Sequence, residues 1–155
     1  MGKQNQITNN PEPVSIFIVH GHDEQALLQV KEFLQELNLK PIVLSEQPKG
    51  GKTIIEKIEE YQTVSYAIIL YTPCDEGKAI KRERKYKKRA RQNVVFEHGY
   101  FTGKLGRNRV AVLVKPEVEK PSDIDGVLYI SMGMNNHWKN ELKRELKASS
   151  LITEE

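Results

Sequence analysis

Cysteine is almost absent from this chain of 155 residues, and its one cysteine, Cys74, excludes an internal disulfide. A protein without disulfides suits a reducing compartment, so we expect a cytoplasmic location. Long apolar runs are also missing, since none approaches the roughly 20 residues that a membrane-spanning helix needs. Residues 1–13 are polar and contain no apolar signal core, and we predict a disordered leader there. The composition favours one globular domain over residues 14–151, with no membrane partner.

Several catalytic and cofactor signatures are missing as well. No Gly-x-Gly-x-x-Gly follows the first apolar run, which argues against a bound redox dinucleotide cofactor. The GGKT run at residues 50–53 lacks the earlier glycine of a P-loop, because Glu46 stands at that position. No further ligands accompany His20 and His22, so we expect no metal site. The sequence pairs no histidine with Cys74 and contains no Gly-x-Ser-x-Gly elbow, which argues against nucleophilic catalysis.

Charge is distributed unevenly along the chain. The net charge is +3, yet residues 78–91 hold nine basic residues and one acid, so this basic insert carries +8 and the remainder −5. Two interpretations are open: a solvated, mobile loop or frayed helix, or a surface that binds a polyanion. Only Tyr86 interrupts the basic residues, so the insert lacks the aromatic ladder that stacks bases. We therefore do not expect a nucleic-acid partner.

Short apolar runs alternate with segments of helical periodicity. The predicted strands are residues 15–19, 41–44, 66–71, 109–114 and 127–130. The predicted helices are residues 23–38, 53–62 and 93–107, followed by a closing helix with Trp138, Leu142 and Leu146 on one stripe. This alternation predicts an α/β fold in which helices cover both faces of a five-stranded parallel sheet. The order 2-1-3-4-5, which is flavodoxin-like, is the one we expect.

The helix predicted at residues 93–107 carries one carboxylate in an informative position. Its apolar stripe recurs at helical spacing, and Asn93 is predicted as the N-cap. The members of the stripe are Val94, His98, Phe101 and Leu105. Glu97 lies roughly 80° from the centre of that stripe, neither fully buried nor on the outer face. Such a position can present an acid to a cleft, although a solvated or ion-paired glutamate is the alternative.

Polar segments follow the first three predicted strands. They are HGHD at residues 20–23, SEQPKGGKT at residues 45–53 and TPCD at residues 72–75. In a flavodoxin-like sheet these segments meet at the crevice where the strand order reverses. Gly21 is expected to allow a sharp turn and Asp23 to cap the first helix, and the same loop could line the crevice. Lys52, in a glycine-rich loop, could meet an anionic ligand.

Four longer motifs together resemble one family. They are IVHGHD at residues 18–23, EQPKGGKTIIE at residues 46–56, RARQNVVFEHGYF at residues 89–101 with GKLGR at residues 103–107, and PSDIDGVLY at residues 121–129. The chain resembles the bacterial TIR-like domains termed predicted nucleotide-binding proteins. Related domains occur as effectors of cyclic-nucleotide antiphage systems, including TIR–STING fusions. The resemblance covers nearly the whole chain and includes no sensor domain, so we expect a standalone protein or a TIR domain cut from a larger one.

The resemblance implies a flavodoxin-like TIR fold with residues 48–53 in a mobile BB loop. Active members cleave the nicotinamide–ribose bond of NAD+ with a glutamate on the third helix, and the matching residue is Glu97. NAD+ would be the substrate, with no separate cofactor, and the product would be ADP-ribose or a cyclised form. The residues expected to bind the substrate are His22, Asp23, Lys52, Thr72, Arg91 and Asn93. The resemblance also implies self-association through TIR–TIR contacts and a cyclic-nucleotide sensor domain or partner. The basic insert departs from the family, in which this connection is often short and acidic.

Two other functions remain open at the level of sequence. In the first, the domain binds a nucleotide signal or another TIR domain without catalysis, and Glu97 supports the fold. In the second, the protein is a hydrolase or transferase that acts on another N-glycosidic bond, such as that of a nucleoside or nucleotide. A single carboxylate suits NAD+ cleavage because nicotinamide leaves as a neutral molecule, whereas an ordinary sugar glycosidase needs a second, protonated carboxyl.

Overall fold

A parallel sheet of five strands forms the centre of the computed structural model, which describes residues 12–47, 50–61, 63–81, 85–121 and 126–153. Its strands are β1 (Ser15–Val19), β2 (Lys40–Val43), β3 (Ala67–Tyr71), β6 (Val110–Val114) and β7 (Leu128–Ser131). A separate antiparallel pair is formed by β4 (Asp75–Gly77) and β5 (Lys87–Arg89). The main sheet has the order β2-β1-β3-β6-β7, with every neighbouring pair parallel. Counting the parallel strands alone, this is the order 2-1-3-4-5, so the predicted flavodoxin-like topology is confirmed.

Helices cover both faces of this sheet. They are α1 (Glu24–Glu36), α2 (Ile54–Glu60), α3 (Gln92–Leu105) and α4 (His137–Ala148). Because successive strand side chains point to opposite faces, Ile16 and Ile18 of β1 pack with α1 and α4, whereas Phe17 and Val19 pack with α2 and α3. The face that carries α3 is therefore the one on which Glu97 must be placed.

The closing helix α4 confirms its predicted stripe, since Trp138, Leu142 and Leu146 are all buried. Helix α2 buries its apolar residues only in part: Ile58 is buried, but Ile54 is 44% and Ile55 38% exposed. The physical reason is that α2 has only two turns, and its first turn lies at the carboxyl edge of the sheet rather than over the strands. Among the described residues, no helix has both the length and the apolar character needed to cross a bilayer.

The helix caps explain how the chain enters each helix. Asp23 caps α1 as predicted, because its Oδ1 accepts a hydrogen bond of 2.9 Å from the Ala26 backbone N–H. Asn93, however, was predicted wrongly as the N-cap of α3, since the helix begins at Gln92 and Arg91 occupies the cap position. The carboxylate of Asp75 accepts from the Gln92 N–H at 3.1 Å instead. A side chain from β4 therefore caps the helix that carries Glu97.

Part of the basic insert forms a strand rather than a loop or helix, since residues 87–89 are β5, whereas residues 78–81, 85 and 86 have no regular structure. Strands β4 and β5 form a hairpin in which Asp75 lies opposite Arg89 and Glu76 opposite Lys88. Opposite charges across a strand pair stabilise the pairing. Arg89 also donates to the Glu119 carboxylate at 2.7 Å, and the Glu119 N–H donates to the Lys88 carbonyl at 2.8 Å. Both bonds hold the hairpin against the segment that follows β6.

Parts of four predictions lie outside the described residues, including residue 62 of the second predicted helix and residues 82–84 of the basic insert. Residues 1–11 of the predicted leader and residues 48 and 49 of the predicted BB loop are also not among the described residues. Gly50 and Gly51, which are described, have φ values of +50° and +73°. Only glycine adopts this left-handed backbone readily, so the two glycines allow the turn that leads into α2.

Candidate functional site

A cavity of about 440 Å³ opens at the carboxyl ends of β1 and β2, between α2 and α3. Its polar lining includes four of the residues predicted from sequence, namely Lys52, Arg91, Asn93 and Glu97, together with His20, Ser45 and Lys57. The edge of the sheet at which the strand order reverses is where ligands bind in open α/β folds. The structure thus brings residues from four separate segments together around one concave surface.

Glu97 is half-buried on the wall of this cavity, as its position beside the stripe predicted. Its neighbour His98 and the later Phe101 are buried, which fixes the rotation of α3 about its axis. Burial raises the pKa of the Glu97 carboxyl to about 7, and the charge of Arg91 acts in the opposite direction. Among the described lining residues Glu97 is the one acid, and it changes protonation state near neutral pH.

A buried pair fixes α3 against the sheet. The Tyr71 hydroxyl and His98 Nδ1 are 2.8 Å apart, and the two rings meet edge to face with centroids 5.6 Å apart. Burial lowers the pKa of His98, so the ring is neutral at physiological pH. The contact joins β3 to the residue next to Glu97 and so helps to hold the carboxylate at the cavity wall.

Three cationic side chains accompany this carboxylate. Lys57 is only 8% exposed, and its Nζ donates to the Gln47 carbonyl at 3.2 Å. Lys52 forms an ion pair with Glu60, and Arg91 lies just before the first turn of α3. All three line the cavity. Charged donors of this kind bind phosphate oxygens strongly where water is partly excluded, so the cavity suits an anionic ligand that also carries a positively charged centre for Glu97.

His20 and Ser45 add a hydrogen-bonded polar pair. His20 Nδ1 is 2.9 Å from the Gly21 carbonyl oxygen, and Nε2 is 3.0 Å from the Ser45 hydroxyl. A carbonyl can only accept, so Nδ1 carries the hydrogen, and in the neutral ring Nε2 accepts from Ser45. These groups line the same cavity and can exchange partners with the hydroxyl groups of a ligand.

Three predicted binding residues lie outside the cavity lining. Asp23 is engaged as the cap of α1, and His22 is exposed. Thr72 is 2% exposed, with its hydroxyl 3.3 Å from the Cys74 sulfur. That sulfur also accepts from the His22 backbone N–H at 3.3 Å. Neither contact supplies a base, so Cys74 joins β1 to β3 structurally.

Gly21 fits this arrangement for a reason other than the sharp turn that was expected. A Cβ on Gly21 would lie 2.5 Å from the Cys74 sulfur, which is closer than atoms can pack. The absence of a side chain is therefore what allows the loop after β1 to approach the loop after β3. This close approach brings His20 to the edge of the cavity.

A second cavity, of about 560 Å³, lies on the other side of the α3 N-terminus. Two of its three lining acids are already engaged, since Asp75 caps α3 and Glu119 pairs with Arg89 and Lys87, and the third, Glu76, is exposed. The bonds from Arg89 and Lys87 hold the pKa of Glu119 below its usual value. Larger volume therefore does not make this cavity the better site for chemistry. Among the described residues, no cluster of His, Cys, Asp and Glu could hold a metal ion.

Sequence reasoning placed the segments that contain His20 and Ser45 at the crevice without singling out either residue, and it missed Lys57. Lys57 had a readable signal, because it lies three residues after Ile54 and four before Tyr61, on the inner face of α2. A lysine on the inner face of a helix either extends its charged end to solvent or binds a ligand with it. His20 and Ser45 each follow closely on a strand, and the first residues beyond parallel strands lie at the ligand edge of the sheet.

Comparison with known proteins adds a family to this geometry. Residues 15–150 match the family described as CAP12/Pycsar effector protein, TIR domain. The chain is 49% identical over 146 residues to protein YuaY of Escherichia coli (strain K12), which covers 89% of this chain and 48% of that protein. It is 38% identical over 132 residues to protein tirC of Dictyostelium discoideum, covering 79% and 66%. The chain therefore spans about half the length of the first relative and 66% of the second.

A shorter match concerns a third relative. Over 37 residues the chain is 49% identical to CD-NTase-associated protein 12 of Niabella drilacis, covering 24% of this chain and 12% of that protein. This match is short, and the family match carries more weight because it extends over nearly all of the described residues.

Proposed function

The chain belongs to the family of CAP12/Pycsar effector TIR domains, and on that premise we propose that it cleaves the nicotinamide–ribose bond of NAD+. The observation that supports this most directly is the half-buried carboxylate of Glu97 on a cavity wall that also carries Lys52, Lys57 and Arg91. A carboxylate can stabilise a cationic ribosyl group, and the cations can bind the diphosphate that NAD+ carries.

The reaction needs one ionised carboxylate and no general acid. The bond between ribose C1′ and the nicotinamide nitrogen breaks, its electron pair goes to that nitrogen, and nicotinamide departs neutral. Glu97 stabilises the oxocarbenium-like ribose electrostatically and accepts hydrogen bonds from ribose hydroxyls. Water then adds to C1′ and releases a proton, which gives ADP-ribose, or an adenine nitrogen adds instead and gives a cyclised product. NAD+ is consumed as a substrate, so the proposal assigns no cofactor.

The roles of the surrounding residues follow from their charge. We assign diphosphate binding to Lys52, Lys57 and Arg91, and contacts with ribose hydroxyls to Asn93 and Ser45. The proposal does not use His22, Asp23 or Thr72, because they lie outside the cavity lining.

Replacing Lys57 with methionine is expected to raise the KM for NAD+ about tenfold or more, with a smaller change in kcat. A charged hydrogen bond to a phosphate contributes about 1.5–3 kcal/mol, and methionine retains much of the lysine stem. Steady-state kinetics should be run beside Lys143→Met, which removes an exposed lysine from α4. An unchanged KM in a Lys57→Met protein of normal melting temperature would remove Lys57 from the binding site.

We further propose that the domain is an antiphage effector whose activity rises when copies associate, under the control of a cyclic-nucleotide sensor domain or partner. The matched family consists of effectors, which supports the role. The test measures nicotinamide and ADP-ribose by chromatography over a wide range of protein concentration, with NAD+ and a panel of nucleosides as substrates. We expect the rate per molecule to rise with concentration for NAD+ alone. A rate that stays flat contradicts activation by association, whereas cleavage of nucleosides in place of NAD+ contradicts the substrate.

A further inference from the structure

We propose that the basic hairpin of one molecule docks on helix α2 of a second copy of this chain. The basic hairpin is defined here as residues 75–81 and 85–89. It presents Lys81, Lys85 and Lys88 to solvent, and its two large apolar side chains are unusually open, with Ile80 95% and Tyr86 64% exposed. An apolar centre inside a polar, solvent-accessible rim is the arrangement found in protein interfaces.

Helix α2 supplies the complementary surface. Ile54 and Ile55 leave an exposed apolar pair on its first turn, and its second turn presents the exposed acid Glu59 beside Glu60, which pairs with Lys52. The acids can meet the hairpin lysines while the isoleucines cover Ile80. Across the whole chain the same complementarity holds, because the basic insert carries +8 and the remainder −5.

A single molecule cannot readily make this contact with itself. The hairpin is held by Glu119 to the segment after β6, whereas α2 follows β2 at the far edge of the sheet. The cavity with Glu97 lies between them, lined by α2 on one side and by the start of α3 on the other. Two different surfaces on one chain give a head-to-tail contact, which repeats into rings or open filaments rather than stopping at a symmetric dimer.

The contact would also reach the cavity. Lys52 and Ile54 line it. Ile54 is the first residue of α2, on which the partner's hairpin would lie, and Lys52 comes two residues earlier. Docking would restrict this side of the cavity and exclude water from it, which strengthens electrostatic interactions inside. This consequence rests on the proposed function, whereas the contact itself does not.

Charge reversal at each surface tests the contact. Lys81→Glu with Lys85→Glu forms the hairpin variant, because both lysines are exposed and lie outside β4 and β5. Glu59→Lys forms the helix variant, and Glu60 is left unchanged because it pairs with Lys52 at the cavity. Sedimentation velocity should show that the wild type grows continuously with concentration, less so at high ionic strength, because salt screens exposed charges. Each variant alone should remain monomeric. An equimolar mixture of the two should associate again, because each hairpin then meets an α2 of opposite charge.

A control variant separates this contact from a general effect of net charge. Lys143→Glu with Arg144→Glu on α4 changes the net charge by the same amount as the hairpin variant and should associate like the wild type. Variants that associate alone, or a mixture that does not, would overturn the proposal. It would equally be overturned if the wild type stayed monomeric while its hairpin bound single-stranded DNA. NAD+ loss measured in the same samples keeps the two proposals distinct, since association without cleavage removes only the enzymatic function.

Discussion

Replacing Glu97 with glutamine is expected to reduce nicotinamide release from NAD+ by about 10²–10³-fold, because removing one electrostatic group aimed at developing charge has effects of this size. Glutamine has the same shape, so the packing of α3 around His98 is retained. What is lost is the negative charge at the wall of the cavity. Nicotinamide release by purified protein at high concentration is the measurement. Glu32→Gln on α1, an exposed acid on the opposite face of the sheet, is the matched control.

The same variant has a second signature in stability. Burial raises the pKa of Glu97 to about 7 in the folded protein, above its ordinary value of 4.5. Between these two pH values the folded state holds a proton that the unfolded state has released, so this group's contribution to stability falls as pH rises through that window. Glutamine avoids the penalty. Because solvent reaches part of the carboxyl, we expect Glu97→Gln to be more stable by only about 1–2 kcal/mol at pH 8, and nearly equal at pH 4.

Together the two signatures separate catalysis from structural support. Denaturant unfolding at both pH values should accompany the activity assay. If the variant is inactive and is more stable than the wild type at the higher pH, Glu97 is a catalytic carboxylate whose burial lowers the stability of the folded protein. A variant that unfolds would mean that Glu97 supports the fold, and one that cleaves NAD+ at the wild-type rate would exclude it from the reaction.

Much of the fold could be predicted because the main sheet is encoded locally. Each parallel strand is a short run of branched and apolar side chains, and strands buried on both faces produce such runs without alternation. The stripe of Trp138, Leu142 and Leu146 likewise needs no knowledge of its neighbours. The hairpin could not be predicted in this way. Its strands have no apolar pattern, and the Arg89 side chain is bound by Glu119, which lies thirty residues further along the chain.

The site was predictable as far as strand ends and helix phase determine it. The apolar stripe of α3 fixes the rotation of the helix and so predicts the positions of Glu97 and Asn93. The positions of Lys52 and Arg91 are predicted because these residues lie just before α2 and α3. His22 and Thr72 illustrate the limit. Both belong to loops that reach the correct edge of the sheet, but these loops pack on each other, with Gly21 against Cys74, and neither residue lines the cavity. Such a contact joins residues more than fifty positions apart and leaves no local pattern in the sequence.

The rate of nicotinamide release is expected to rise with pH through about 7 and then to level off. Only the ionised form of Glu97 stabilises the ribosyl cation, and burial holds the pKa of this carboxyl at about 7. Below that pH, kcat/KM should fall by about tenfold per unit, because the ionised fraction falls in that proportion. The fall is not a loss of folding, since this group's contribution to stability is larger at low pH. Initial rates should be measured from about pH 5 to pH 9.

Comparison of kcat with kcat/KM makes this pH prediction specific to Glu97. The profile of kcat/KM reports the free protein, and that of kcat reports the complex with substrate. The nicotinamide ring of bound NAD+ is positively charged, and a cation beside Glu97 favours its ionised form. The rise in kcat should therefore occur at lower pH than the rise in kcat/KM. Coincident profiles would place the charged ring away from Glu97, and a rate that falls as pH rises would mean that Glu97 acts in its protonated form, as a general acid.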